Sequence, residues 1–250
     1  MLHQIQDGDA RIASPRQRVG SQLTRRGFLG ALAAAGALVL GACSSEGEGS
    51  SSSEGSSGDS GDASSDSSSD SGVITTTSSD DPYSTGVHHA TIEVQDYGTM
   101  TVALNANMAP ITVSNFANLA NEGFYDGLTF HRVVSDFMIQ GGDPNGDGTG
   151  GSDQKIKGEF SDNGVKNTIS HVRGTISMAR SSDYDSASSQ FFIMQKEDTS
   201  LNGSYAAFGN VTDGIDVVDA IVDATSSYGD SNGILPADKQ PTITSISMVD

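Results

Sequence analysis

The stretch "FHRVVSDFMIQGGD", Phe130 to Asp143, decides how the folded part of this chain is read. Two apolar runs flank a short polar break, which is the pattern of a strand, a turn and a strand. The spacing predicts strands over 128–134 and 137–141. One cation, Arg132, stands among Phe, Val and Met, and such a company needs a reason. Alternation along a regular strand puts neighbouring side chains on opposite faces. If Arg132 faces a groove, His131 is therefore expected to face the interior.

Working outward, hydrophobic periodicity runs from about Tyr83 to Asp250, an ordinary length for one domain. "ATIEVQDYGTMTVALN" reads as a β-hairpin about "DYG". In "APITVSNFANLANEG", Pro110 suits a first helical turn. Val113, Phe116, Ala117 and Ala120 repeat at helical spacing, and Gly123 suits the stop. Further strands are expected over 174–180, 190–195, 206–211 and 242–249, and a second helix over 213–222. Many short strands with two helices suggest a closed barrel or a sandwich.

Composition sets the outer bounds. The 250 residues carry 32 acidic and 13 basic side chains, a formal charge of −19. Nucleic acid is excluded as a partner on that balance, because phosphate binding needs clustered Lys and Arg. The single cysteine, Cys43, rules out an intramolecular disulfide framework. It follows "TRRGFLG" and a 13-residue apolar run, Phe28 to Leu40. A spanning helix needs about 20 apolar residues, so residues 1–42 read as an export signal. The Arg25-Arg26 pair resembles a twin-arginine signal. "LGAC" resembles a bacterial lipobox, which implies a lipid anchor on Cys43 and a place on the outer face of the cytoplasmic membrane. A plain cleaved signal with an incidental cysteine is the alternative. Residues 43–82 are nearly all Ser, Gly, Asp and Glu. That composition cannot bury enough apolar surface to offset chain entropy, so a disordered acidic tether is expected before a domain at 83–250.

Three motifs tempt and fail. "GDGTGG" (146–151) has dinucleotide-loop glycines, but no helix-like segment follows it. "DPNGDG" (143–148) opens like a calcium loop, yet Gln154 stands where a bidentate glutamate belongs. His131 and His171 belong to no ordered Ser, Asp and His set, and the histidines lack zinc spacing. No metal or cofactor is expected.

Four blocks in order then carry a resemblance: "FHRVVSDFMIQGGD", "GTISMAR", "SSQFFIM" and "LNGSYAAFGNV". Together they resemble the cyclophilin-type peptidyl-prolyl isomerases, over residues 86–250. The resemblance implies an eight-stranded antiparallel β-barrel, closed, with a helix capping each end. It implies that Arg132 is the catalytic residue. Phe137, Met138, Gln140, Ala179, Gln190, Phe192 and Leu201 fall on substrate-groove positions. Tyr205 stands where animal members usually carry histidine, and Ser200 where they carry tryptophan. Arg180 stands where many carry asparagine, and "SMAR…SDYDSASSQFFI" looks like the bacterial branch. The implied partner is a proline-containing segment of an unfolded or translocated protein, and the implied state is a monomer. A proline-peptide-binding chaperone with little turnover is the rival reading, and a scaffold whose groove is blocked by loop 180–189 is a third.

Overall fold

The computed structural model describes residues 72–249. The expected export signal, Cys43 and the tether up to residue 71 lie outside the described residues. Ten strands and two helices follow one another: β1 (Val73–Ile74), β2 (Val87–Val94), β3 (Gly98–Asn105), α1 (Pro110–Asn121), β4 (Thr129–Val134), β5 (Met138–Asp143), β6 (Lys155–Ile156), β7 (Thr175–Met178), β8 (Phe191–Met194), β9 (Ala207–Asp213), α2 (Asp216–Thr225) and β10 (Ile243–Met248). Among the described residues no helix is long and apolar enough to cross a membrane.

Eight strands form one antiparallel sheet in the order β10-β2-β3-β9-β7-β8-β5-β4. The expected closed barrel is corrected here. The sheet curls into an open half-barrel whose edge strands, β4 and β10, do not form a continuous ladder. They meet at a single bridge, Thr129 with Thr242, supported by Phe130 N–H donating to Pro241 O (2.9 Å) and Ile243 N–H to Leu128 O (2.7 Å). Pro241 has no N–H to extend that seam. A register irregularity in β4 on either side of Phe130 also turns the strand out of line.

The core fills the concave side. Phe116 from α1 packs against Tyr125, Phe191 and Phe208, with ring centroids 5.2–5.5 Å apart. Each such buried ring is worth roughly 1.5–3 kcal/mol. Helix α1 begins where β3 ends. Val217 of α2 lies against Gly98, at the other end of β3, so the helices serve opposite ends of the strand. The second helix starts three residues later than expected, because Gly214 adopts φ +77° and breaks the chain before it.

Helix α1 has an unusual start. Ala109 at its N-cap offers no side chain to the exposed amides. Glu159, buried and 48 residues beyond Ile111, supplies the cap instead. Its carboxylate accepts from Ile111 N (3.1 Å), Thr112 N (2.8 Å) and Thr112 Oγ1 (2.7 Å). The negative charge also suits the helix N-terminus.

The described part of the expected tether, from residue 72 to 82, makes contacts with the rest of the fold. Val73 and Ile74 pair in parallel with Lys155 and Ile156. Asp81 caps a short 3-10 turn through Tyr83 N (2.8 Å) and accepts the Ser114 hydroxyl from α1.

Candidate active site

The expected site residues converge on the outer side of the half-barrel. Met138, Phe192 and Met194 form a buried apolar cluster separate from the main core, with Phe137, Ala179, Leu201 and Tyr205 packed against it. Strands β5 and β8 pair antiparallel, with Met138 opposite Met194 and Gln140 opposite Phe192. Alternation on these paired strands therefore builds one apolar face. A cavity of about 460 Å³ opens over it, lined by Arg132, Phe137, Met138, Gln140, Ala179, Arg180, Phe192, Leu201 and Tyr205.

Arg132 stands at the cavity wall opposite Gln140 in the β4–β5 ladder. Its Nη1 donates to Gln140 Oε1 (3.1 Å) and its Nε to Asn232 O (2.7 Å). Gln140 Nε2 passes the chain on to Gln190 Oε1 (2.9 Å), and Gln190 Nε2 donates to Gly150 O (2.7 Å). The guanidinium is thus fixed at two points. Gln190 lines the neighbouring cavity rather than this one and acts here through Gln140. Burial draws the Arg132 pKa below its ordinary range, while Tyr205 and Asp230 pull it back. The group stays a cation throughout, since arginine does not deprotonate in proteins.

His131 is fully buried, as expected, yet it also borders the cavity that Arg132 lines. The ladder pairs Phe130 with Gly141 and Arg132 with Gln140, so His131 is the extra residue of a bulge. A bulge re-aims side chains and cancels simple alternation. Both ring nitrogens lack a hydrogen-bond partner. Burial is the first cause of a pKa below the ordinary 6.5, with Asp143 opposing it and Arg132 adding to it. The imidazole is neutral at pH 7.

The fold also assembles a Ser, His and Asn set that sequence order did not reveal. His171 Nε2 lies 3.0 Å from Ser177 Oγ, and Nδ1 lies 3.0 Å from Asn202 Oδ1. Both Ser177 and His171 are fully buried, so the hydroxyl cannot meet a substrate. The imidazole instead stacks on Phe192, ring planes 16° apart, and buttresses the pocket floor. Other lining residues missed in the sequence are Asp147, Gly148, Asn232 and Ile234. They arrive on two loops whose local composition carries no signal of this destination. Ser200 lies on an exposed turn, its hydroxyl donated to Asp198 Oδ1 (2.6 Å), and is not part of the cavity lining.

The tight glycine pair after Gln140 shapes this wall. Gly142 has φ +81°, and a Cβ there would sit 2.6 Å from Ser189 O. Asp143 follows, its carboxylate taken up by Asn145 N (2.9 Å), Asp147 N (3.1 Å) and Gly148 N (2.5 Å). The loop read as a calcium-like opening is thereby folded around its own aspartate.

Comparison with known proteins agrees with this geometry. The family model for "Cyclophilin type peptidyl-prolyl cis-trans isomerase/CLD" matches residues 89–247. Peptidyl-prolyl cis-trans isomerase B of Bacillus subtilis (strain 168) is 46% identical over 123 residues, covering 49% of this chain and 82% of that protein. A crystal structure of a Cryptosporidium parvum cyclophilin type peptidyl-prolyl cis-trans isomerase aligns with TM-score 0.58 and 27% identity, covering 66% of this chain and 99% of that one. A second structure of that isomerase, in the presence of the dipeptide Ala-Pro, gives TM-score 0.57 and 28% identity over 65% and 99% of the two chains. The chain belongs to the cyclophilin-type peptidyl-prolyl cis-trans isomerase family, and its enzyme class is that of a peptidyl-prolyl cis-trans isomerase.

Proposed function

We propose that the cavity binds a proline-containing peptide segment and that Arg132 lowers the barrier to rotation about the X–Pro bond. That barrier is about 18–20 kcal/mol and comes from resonance between nitrogen and carbonyl. No bond is made or broken, so the task is to bind the twisted imide better than either planar form. Twisting returns a lone pair to the prolyl nitrogen. A donor aimed there is stronger in the transition state than in the ground state. Arginine supplies that donor with no protonation equilibrium, and lysine lacks its planar fork.

One observation carries the reading. A guanidinium held by Gln140 and by Asn232 O lines the cavity that opens over the apolar cluster of Met138, Phe192 and Met194. In this assignment Phe137, Met138, Phe192 and Leu201 hold the pyrrolidine ring and lower the local dielectric, which strengthens the charge. Gln140 orients the fork and meets the carbonyl side. Ala179, Gln190, Arg180 and Tyr205 contact the flanking peptide. The Ala-Pro structure of the Cryptosporidium parvum relative supports this substrate class.

The twin-arginine-like stretch and "LGAC" support export and lipid attachment at Cys43. The enzyme would then assist folding outside the cytoplasm as a membrane-tethered monomer of the bacterial branch. Replacing Cys43 by Ser is expected to abolish lipid attachment. Unchanged partition into membranes would point to a retained apolar anchor.

The deciding experiment is isomerisation of a single-proline peptide by the full chain and by Arg132→Ala. The substitution is expected to lower kcat/KM at least about tenfold, roughly 1.4 kcal/mol of barrier, with folding intact. Equal rates would remove the catalytic assignment of Arg132.

A further inference from the structure

A second cavity, about 410 Å³, adjoins the proline slot and shares Gln140, Gly148, Ala179 and Arg180 with it. Its lining contains two charged residues, Lys155 and Arg180, and no carboxylate. That runs against the composition of the chain, in which acids outnumber bases 32 to 13. The carboxylates of the adjoining loop are committed elsewhere. Asp183 Oδ1 accepts from Asp185 N (3.0 Å), and Asp185 Oδ1 accepts from Gly158 N (3.0 Å) and Asn163 Nδ2 (2.7 Å). Asp147 lines the proline slot and not this cavity.

Arg180 is held rigidly without an acidic partner among the described residues. Its guanidinium carbon sits 5.2 Å from the Phe160 ring centroid, 4.9 Å from Tyr184 and 4.8 Å from Tyr205. Three rings about one cation fix its position by cation–π attraction. Nε donates to Ser204 O and Nη1 to Ser181 O, each at 2.9 Å. Nη2 has no protein acceptor among the described residues. Lys155 forms no ion pair among them either. The hydroxyls of Ser181 and Ser188 complete a wall able to donate hydrogen bonds.

We infer that this cavity is a subsite for an acidic side chain of the substrate, so that Asp or Glu flanking the proline is preferred. The inference rests on the isomerase reading and adds to it a substrate class. A peptide with its proline in the slot passes Gln140 and Ala179 into the second cavity. A carboxylate there meets two cations that have no counter-ion among the described residues, and the Nη2 of Arg180 gives it a directed donor. The neutral isostere, glutamine, forgoes the charge attraction while keeping the shape.

The test uses single-proline peptides that differ only in Glu or Gln, placed at each flanking position in turn. The full chain is expected to turn over the Glu peptide with about fivefold higher kcat/KM at one position, at low salt, as suits a partly exposed ion pair. Added salt should shrink the ratio. Lys155→Gln and Arg180→Gln should each bring the ratio towards unity. Lys155 is exposed, so its variant remains informative if loss of the aromatic cage unfolds the other. A ratio of unity at every position, or a preference that survives both substitutions, overturns the subsite. If the full chain turns over none of the peptides, the isomerase reading has failed. Calorimetric affinities for the same Glu and Gln peptides then judge the subsite alone, with equal affinities overturning it.

Discussion

The imidazole of His171 lies almost parallel to the ring of Phe192, planes 16° apart and centroids 5.9 Å apart. The pair links a fully buried hydrogen-bonded group to the floor of the proline slot. His171 is pinned on both nitrogens by Ser177 and Asn202, so Phe192 rests on a fixed plate. Replacing His171 by Ala is expected to free Phe192 and raise KM for proline peptides several-fold. Steady-state kinetics on a folded variant checks this, and an unchanged KM would separate the plate from the pocket.

Gln140 has a different part. It accepts from Arg132 and donates to Gln190, so it aims the guanidinium. Gln140→Leu keeps the bulk and removes both bonds. It is expected to lower kcat about tenfold with a smaller change in KM, the signature of a group that matters in the transition state.

Helix α1 depends on a carboxylate from far along the chain. Glu159→Ala should leave the Ile111 and Thr112 amides without their acceptor and cost about 1–3 kcal/mol. Urea unfolding with an unchanged slope measures it. Activity per folded molecule should be retained, since Glu159 does not line the site cavity.

Stability should fall on mild acidification. Burial holds the pKa of His131 and His171 below the ordinary 6.5. The unfolded chain therefore binds more protons than the folded one, and stability rises with pH. The contribution is whole above about 6.5 and drains as pH falls through the window beneath it. Glu159 has the opposite sign. Burial is the first cause of its raised pKa, so its share favours low pH and is lost as pH rises past the ordinary 4.5. Denaturation midpoints between pH 7 and 5.5 should decline, and His131→Gln should flatten that slope. A slope unmoved by the substitution would put the proton uptake elsewhere.

Removing residues 1–82 should be costlier than a tether would suggest. It deletes the pairing of Val73 and Ile74 with β6 and the Asp81 contacts to α1. A chain beginning at 83 is expected to be about 1–2 kcal/mol less stable than one beginning at 72. Equal melting temperatures would make the early segment dispensable.

Most of the strands were legible because they alternate or run apolar between turn residues, and their ends moved by only a few residues. Closure was not legible. Strand patterns do not say which edges meet, and the β4–β10 seam depends on Pro241 and the irregular start of β4. The β1 pairing was missed although "VITTT" (73–77) is β-branched, because the Ser, Gly and Asp around it dominate the composition. The cavity residues in the four blocks could be placed by resemblance. Asn232 could not, since it contributes a backbone carbonyl, which any residue could offer. That the buried His131 also borders the cavity could not be read, because nothing in "FHRVV" marks the extra residue of a bulge. The Ser177, His171 and Asn202 set depends on a contact across 31 residues that no local pattern encodes.

Because β4 has a ladder on one flank only, Arg132 sits on an edge strand of the sheet. Its other flank is held by the loop segment 232–235, through Val133 N–H to Gly233 O and Leu235 N–H to His131 O (2.8 Å each) and a bridge between Arg132 and Ile234. Amide deuterium uptake should therefore be quicker along β4 than along β7 or β8. Crowding that loop with a bound antibody or a graft would detune the enzyme from outside its own groove.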